Sequence, residues 1–215
     1  MKVEERKSKE KSINNFFKRG YKNDLNRIKD ADVDKFSKTA KIHVEKITET
    51  QSKSALDVGC GTGGILLALQ KKGVEQIYGV ELCGEGIEVA KKRFEEYGDI
   101  EKANFFQGSI FEYTIPNVDA ITIHNVMSCH PDAKGIAIKI LEGNPNQIVN
   151  SMPRNIAILR IIAFILSIFT KLFMNGFKLY VHDTDEIRKL IEDAGYERVD
   201  YMKGFYWETS VFIKI

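Results

Sequence analysis

The chain reads as an α/β protein. The expected architecture is a mixed sheet of about seven strands, the last pair antiparallel, flanked by helices, with an N-terminal helical extension and a helical insert late in the chain. Three observations predict it. From residue 54 onward, short apolar segments alternate with amphipathic ones, the pattern of βαβ units. A glycine cluster, ALDVGCGTGG (55–64), joins the first of these strands to the helix after it. The chain closes on two β-rich runs with Gly204 between them, a hairpin signal.

Composition sets the bounds. A chain of 215 residues, 43% hydrophobic and 29% charged, suits one globular domain, with or without an extension. The net charge of +2 is unevenly placed: residues 1–54 carry +6 and residues 55–215 carry −4. The leader's positive charges are interspersed with acids, which reads as a solvated helical lead-in and not a nucleic-acid arm. Cys60, Cys83 and Cys129 show no C-x-x-C spacing. That argues against a disulfide framework or a metal site and for a reducing, cytoplasmic compartment. The start, MKVEERKSKEKS, has no apolar core and does not read as a signal peptide.

Residues 1–12 read as frayed. From Val33 to about Thr50, the residues Phe36, Ala40, Val44 and Ile47 fall at spacings of 4, 4 and 3, one stripe of a helix. Residues 1–54 are therefore an extension able to cap a site, and residues 55–215 the main domain. SALDVG reads as a strand, GILLALQKKG as a helix stopped by Gly73, and QIYGVEL as the second strand. EGIEVAKKRFEEYG is a helix with Ile87, Ala90 and Phe94 on one face. ANFFQG and VDAITIH are strands, PDAKGIAIKILEG a helix with Pro131 suited to its first turn, and QIVNSM the fifth strand. An insert at about 154–180 follows, in which 155–174 reads as a buried or interfacial helix. Its apolar run is too short to cross a bilayer, so peripheral membrane contact is the candidate role for it. DTDEIRKLIEDAGY is a helix with Asp183 and Glu186 at capping-box spacing, before the closing hairpin.

The glycine cluster carries the strongest chemical signal. Without Cβ atoms, Gly59, Gly61 and Gly63 let the backbone turn sharply and approach a ligand, and the following helix directs its N-terminal N–H groups at it. Glu81 ends the second strand, 18 residues after Gly63. A carboxylate at that place can accept both hydroxyl hydrogens of a ribose.

Asp57-Val58-Gly59-Cys60-Gly61-Thr62-Gly63 resembles the acidic-x-G-x-G-x-G signature of the class I, Rossmann-like methyltransferases, and YGVEL resembles that family's second strand. The resemblance covers residues 55–150 well and continues loosely to the end. It implies S-adenosylmethionine as cofactor. Gly59, Cys60, Gly61 and Gly63 would line its methionine and ribose, and Asp57 would organise the loop and reach the amino group. Glu81 would hold the ribose, and Leu82 would pack on the adenine. Ser109 stands where the family often has an acid on the adenine amine, which leaves the base to backbone groups and Ile110. His124 and Asn125 would form the floor shared by cofactor and acceptor.

The acceptor is less legible. The Asn/Asp-Pro-Pro-aromatic motif of amino-methylating nucleic-acid enzymes is absent; IHNVMSCHPD stands in its place, so no nucleic-acid partner is expected. IHNVMSCHPD, NSMPR, KLYVHD and FYWE resemble a group of small-molecule methyltransferases, with a similar layout in the magnesium-protoporphyrin branch. An apolar insert over the pocket suits a hydrophobic or aromatic acceptor. His130 is the candidate general base and Arg154 a candidate for an acceptor carboxylate. His43 reads as surface or packing. Two alternatives share the glycine loop: an NAD-dependent oxidoreductase, which would want a Tyr-x-x-x-Lys or similar pair that is not evident, and a non-catalytic S-adenosylmethionine-binding module.

Overall fold

The computed structural model describes residues 1–173 and 177–215, leaving aside the side chains at 169 and 171–173. Residues 174–176, inside the expected insert, lie outside the described residues. In chain order the elements are α1 (Val3–Asp24), α2 (Lys38–Glu49), β1 (Ser54–Val58), α3 (Gly64–Lys71), β2 (Gln76–Glu81), α4 (Gly84–Tyr97) and β3 (Ala103–Gln107). Then follow β4 (Ala120–His124), α5 (Ala133–Leu141), β5 (Gln147–Pro153), α6 (Ala157–Phe173), α7 (Thr184–Asp193), β6 (Tyr196–Lys203) and β7 (Trp207–Lys214).

The sheet has seven strands in the order β3-β2-β1-β4-β5-β7-β6. The first five are parallel, and β7 inserts antiparallel between β5 and β6. A return by hairpin is what places β7 there: β6 and β7 pair through the Gly204 turn, and β7 then pairs along the whole of β5. Strand order reverses between β1 and β4, and open α/β sheets bind ligands outside the carboxyl ends of the strands at such a switch.

Alternation along each strand divides the core in two. Ala55, Ala120, Val149 and Val211 face α2, α3 and α4, where Val44, Ile47, Leu66, Ile87 and Phe94 are buried. Leu56, Ile121, Ile148 and Phe212 face the other way, onto Ile136 and Ile140 of α5 and Ile187 and Ile191 of α7. Each central strand is covered on both faces, so its apolar run is continuous.

Three local expectations change. Residues 1–12 are not frayed: they open a helix of 22 residues whose Glu10 and Ile13 are buried. Pro131 stands before α5, because Asp132 takes the cap by accepting from the Gly135 N–H at 2.9 Å. The helix expected to be buried or interfacial, α6, turns most of its apolar surface outward: Ile161 is 55% exposed and Phe164 is 67% exposed. At α7, Asp183 caps as expected, accepting from Asp185 and Glu186 N–H groups, while Glu186 itself pairs with Lys134. None of the described helices is long and apolar enough to cross a membrane.

Candidate functional site

The loop after β1 is built for close approach. Gly59, Gly61 and Gly63 all have left-handed φ, at 72°, 52° and 73°. They serve different ends. A Cβ on Gly59 would run into Val126 of the loop after β4. A Cβ on Gly61 would meet Tyr21 Oη at 3.0 Å. Gly63 lies behind the loop, where a Cβ would meet that of Ala90 at 3.0 Å, so it lets α3 and α4 pack and does not line the cavity.

Glu81 is tied directly to this loop. Its Oε2 accepts from the Gly61 N–H at 3.0 Å and its Oε1 from the Cys83 N–H at 2.9 Å. The carboxylate is 7% exposed, and burial pushes its pKa up against the pull of these N–H donors. Asp57, one strand over, is 3% exposed and held well above the usual carboxylate range by burial and then by the charge of Glu81. Among the described residues its Oδ1 has no partner, and the same is true of Asn125 Oδ1 and His130 Nε2. A buried polar atom without a partner is costly, and all three residues line one cavity.

That cavity measures about 510 Å³. Its floor is Asp57 to Thr62, Val80 to Leu82, Ile110, and His124 to Val126, and Cys129 and His130 close one side. Cys60, Gly61, Leu82, Ile110, His124 and Asn125 all line it. Ser109 is buried just outside, with its hydroxyl turned to α1. The roof is Glu10, Ile13, Phe17 and Tyr21 of α1 together with Phe36, Ser37 and Ala40 at the start of α2.

The two roof helices are anchored differently. His43 of α2 is fully buried: one ring nitrogen bonds Thr122 Oγ1 at 2.5 Å and the other Ser151 Oγ at 2.7 Å, and Ser151 bonds Thr209 at 2.6 Å. Burial, then the nearby His124, pushes the His43 pKa well down, so the ring is neutral and pins α2 to three strands. His124 is likewise pushed down by burial, to about 4, and its Nε2 bonds Thr39 Oγ1 at 2.9 Å. By contrast, α1 is held at the edges. Lys18 pairs with Glu85 at 3.1 Å, Tyr21 packs over Gly61 and Gly86, and Phe16 stacks on Phe177 at 3.9 Å.

Glu10, absent from the sequence expectation, faces the site from α1. Ser109 Oγ donates to its Oε1 at 2.6 Å, and His130 Nε2 is 3.5 Å from the same oxygen. Burial raises the Glu10 pKa, but the neighbouring His130, the bond from Ser109 and the charge of Arg6 outweigh it, so the group stays a carboxylate. His130 Nδ1 accepts from the Asp132 N–H at 3.1 Å. A neutral imidazole accepting at Nδ1 carries its proton on Nε2, here directed at Glu10. A stripe at spacings of 3, 4 and 4, Glu10-Ile13-Phe17-Tyr21, was the available signal for this helix; the charges around it masked that signal.

The remaining histidine and the arginine serve the scaffold. His182 Nε2–H donates to the carbonyls of Met127 and His130, each at 2.9 Å. Arg154 does not reach the cavity: its guanidinium donates to the carbonyls of Gly204 and Phe205, and it holds the β6–β7 turn.

Residues 55–141 match the methyltransferase-domain family. In sequence, 60 residues are 35% identical to an mRNA cap guanine-N(7) methyltransferase of Schizosaccharomyces pombe, covering 28% of this chain and 17% of that protein. Over 80 residues the chain is 30% identical to a Methanocaldococcus jannaschii protein described as a protein N5-glutamine methyltransferase, covering 36% of this chain and 39% of that protein. The chain thus spans well under half the length of these curated relatives. In structure it is similar to magnesium protoporphyrin IX methyltransferase from Synechocystis PCC 6803 with bound SAH. That match has a TM-score of 0.68 at 17% identity and covers 94% of this chain and 98% of the other. The glycine loop, the buried acid on β2 and the β3-β2-β1-β4-β5-β7-β6 sheet agree with these likenesses. Residues 55–141 match a methyltransferase domain, within a sheet that residues 142–215 complete.

Proposed function

We propose that the protein transfers the methyl group of S-adenosylmethionine to a small, hydrophobic or aromatic molecule. The observation that carries this reading is the roofed cavity. A space of about 510 Å³ closed by α1 and α2 has room for a compact ligand beside a cofactor, and its roof meets a ligand with Ile13, Phe17 and Phe36.

The residues fit the cofactor. Glu81 would accept from the ribose hydroxyls, giving up its bonds to the loop. The unpartnered Asp57 Oδ1 would take the amino group, whose positive charge relieves the clash of Asp57 with Glu81. With the amino-acid end on β1 and the ribose on β2, the base extends toward β3, onto Leu82 and Ile110. The bound cofactor supplies an electrophilic methyl group; the chain's part is to hold the acceptor in line with it and to exclude water.

Where the acceptor is a hydroxyl, its proton goes to the His130–Glu10 pair. With Nδ1 occupied by the Asp132 N–H, His130 acts through its Nε2–H, orienting the ionised Glu10 carboxylate that accepts the proton. His130 is then a positioning residue and not the base itself.

Calorimetric titration with S-adenosylmethionine, S-adenosylhomocysteine and NADH tests the cofactor half. Binding of the first two is expected, with Glu81→Ala weakening it by about 10- to 100-fold, the worth of one or two bonds to a charged acceptor. Binding of NADH alone would overturn it. Release of S-adenosylhomocysteine with a panel of lipophilic phenols and carboxylates, against RNA and protein panels, tests the acceptor half; turnover with only the macromolecules would sink it. Glu10→Gln and His130→Gln should lower kcat with S-adenosylhomocysteine affinity unchanged. A loss of affinity instead would assign the pair to the base of the cofactor.

A further inference from the structure

We infer that α6 is a docking surface for an anionic lipid membrane, on which the whole chain lies peripherally. The helix is 17 residues long, and Ile158, Ile161, Ile162, Phe164, Ile165 and Ile168 are each at least 39% exposed. A soluble monomer seldom leaves so large a contiguous apolar face in water, and such a face marks an interaction surface.

The charges choose the occupant. From Arg154 to His182 the sequence contains no Asp or Glu, while it contains Arg154, Arg160, Lys171 and Lys178. A second copy of this chain docked face to face would bring cation against cation. An anionic lipid surface satisfies both parts: acyl chains take the isoleucines and Phe164, and headgroups take Arg160 and Lys178, both exposed. The helix is too short for a span, which fits a helix lying in the interfacial plane.

The surface extends beyond α6. Phe205 is 76% exposed and Tyr206 53% exposed, on the β6–β7 turn. Arg154, just before α6, clamps that turn through the carbonyls of Gly204 and Phe205. Aromatic rings of this kind favour the headgroup boundary.

The patch also connects to the cavity roof. Thr170 of α6 donates to the carbonyl of Phe177. Phe177 is buried, stacking on Phe16 and meeting Phe17 edge-on at 5.9 Å, and Phe17 lines the cavity. A lipid-facing helix thus ends on the helix that covers the site. Resting on the reading of a hydrophobic acceptor, this makes the acceptor a molecule that partitions into the bilayer.

Co-sedimentation of the full chain with phosphatidylcholine vesicles, with and without phosphatidylglycerol, tests the surface. Association should require phosphatidylglycerol and weaken with salt. Ile161→Ser with Phe164→Ser should reduce it by more than about tenfold, and Arg160→Glu by several-fold, while S-adenosylhomocysteine affinity in solution stays unchanged. That affinity reports folding and the cofactor reading separately. No association with either vesicle, or equal association of the double variant, would overturn the docking surface. So would a dimer in sedimentation velocity that the double variant dissociates, because the face would then belong to a second copy.

Discussion

At the scale of the residue, the site depends on what certain positions cannot tolerate. Gly59 combines a φ of 72° with a neighbour, Val126, that already fills the place of a Cβ. Gly59→Ala should therefore cost about 2 kcal/mol in urea unfolding, the sum of left-handed strain and a displaced side chain. The same change at Gly20, inside α1 near its C-terminal end with nothing within 4 Å, should instead stabilise by up to about 1 kcal/mol. If both variants behaved alike, the loop's geometry would not be what makes Gly59 necessary. Asp57 and Glu81 also belong here. Burial disfavours the charged form of both carboxyls, and at Asp57 the nearby charge of Glu81 adds to it.

At the scale of the element, the two roof helices differ in what holds them. Helix α2 is locked by His43 to β4 and β5, and through Ser151 to β7. Helix α1 rests on surface ion pairs, the ring of Tyr21 and the Phe16–Phe177 stack. Exposed ion pairs contribute little, so the buried Ser109–Glu10 bond and the Tyr21 and Phe16 contacts carry most of the hold on α1, and α1 is expected to open before α2. Gly86 packs tightly under α1, since a Cβ there would meet the Tyr21 ring at 3.1 Å and the Gly61 carbonyl at 3.0 Å. Gly86→Ala should lift α1 and raise the dissociation rate of S-adenosylhomocysteine several-fold in stopped flow, with hydrogen exchange of residues 10–21 speeding in parallel. Unchanged exchange in α1 would show that it does not gate the site.

At the scale of the whole molecule, the neutral histidines under α2 make stability depend on pH in one direction. The pKa of His124 falls from its ordinary 6.5 to about 4 on folding, and that of His43 falls well below 6.5. At these two rings the unfolded chain therefore binds more protons than the folded one below pH 6.5. Stability should be full above that pH and fall as pH drops toward 4, with up to two protons taken up on unfolding. Urea midpoints measured from pH 7.5 to 4.5 would show it, and His43→Gln with His124→Gln should flatten the profile. A flat profile in the parent protein would mean that these rings are charged or exposed.

Much of this was legible from order along the chain. The glycine loop, the acid at the end of β2 and the alternation of strand and helix depend on local backbone conformation and on periodicity, which neighbouring residues dictate. The sequence therefore determined the fold class, the closing hairpin and the glycine loop. It did not determine where β7 pairs, because a strand's partner is chosen by the whole sheet; nor that Arg154 clamps a turn 50 residues away, which depends on the return of the hairpin. Residues 1–12 looked like frayed chain, and the stripe from Glu10 to Tyr21 went unread, because the burial of α1 depends on the domain it packs against. His43 was legible only as surface or packing because its partners, Thr122 and Ser151, lie 79 and 108 residues on. The tertiary structure alone decided these points, because burial and hydrogen-bond partners at such separations are properties of the packed chain and not of any segment.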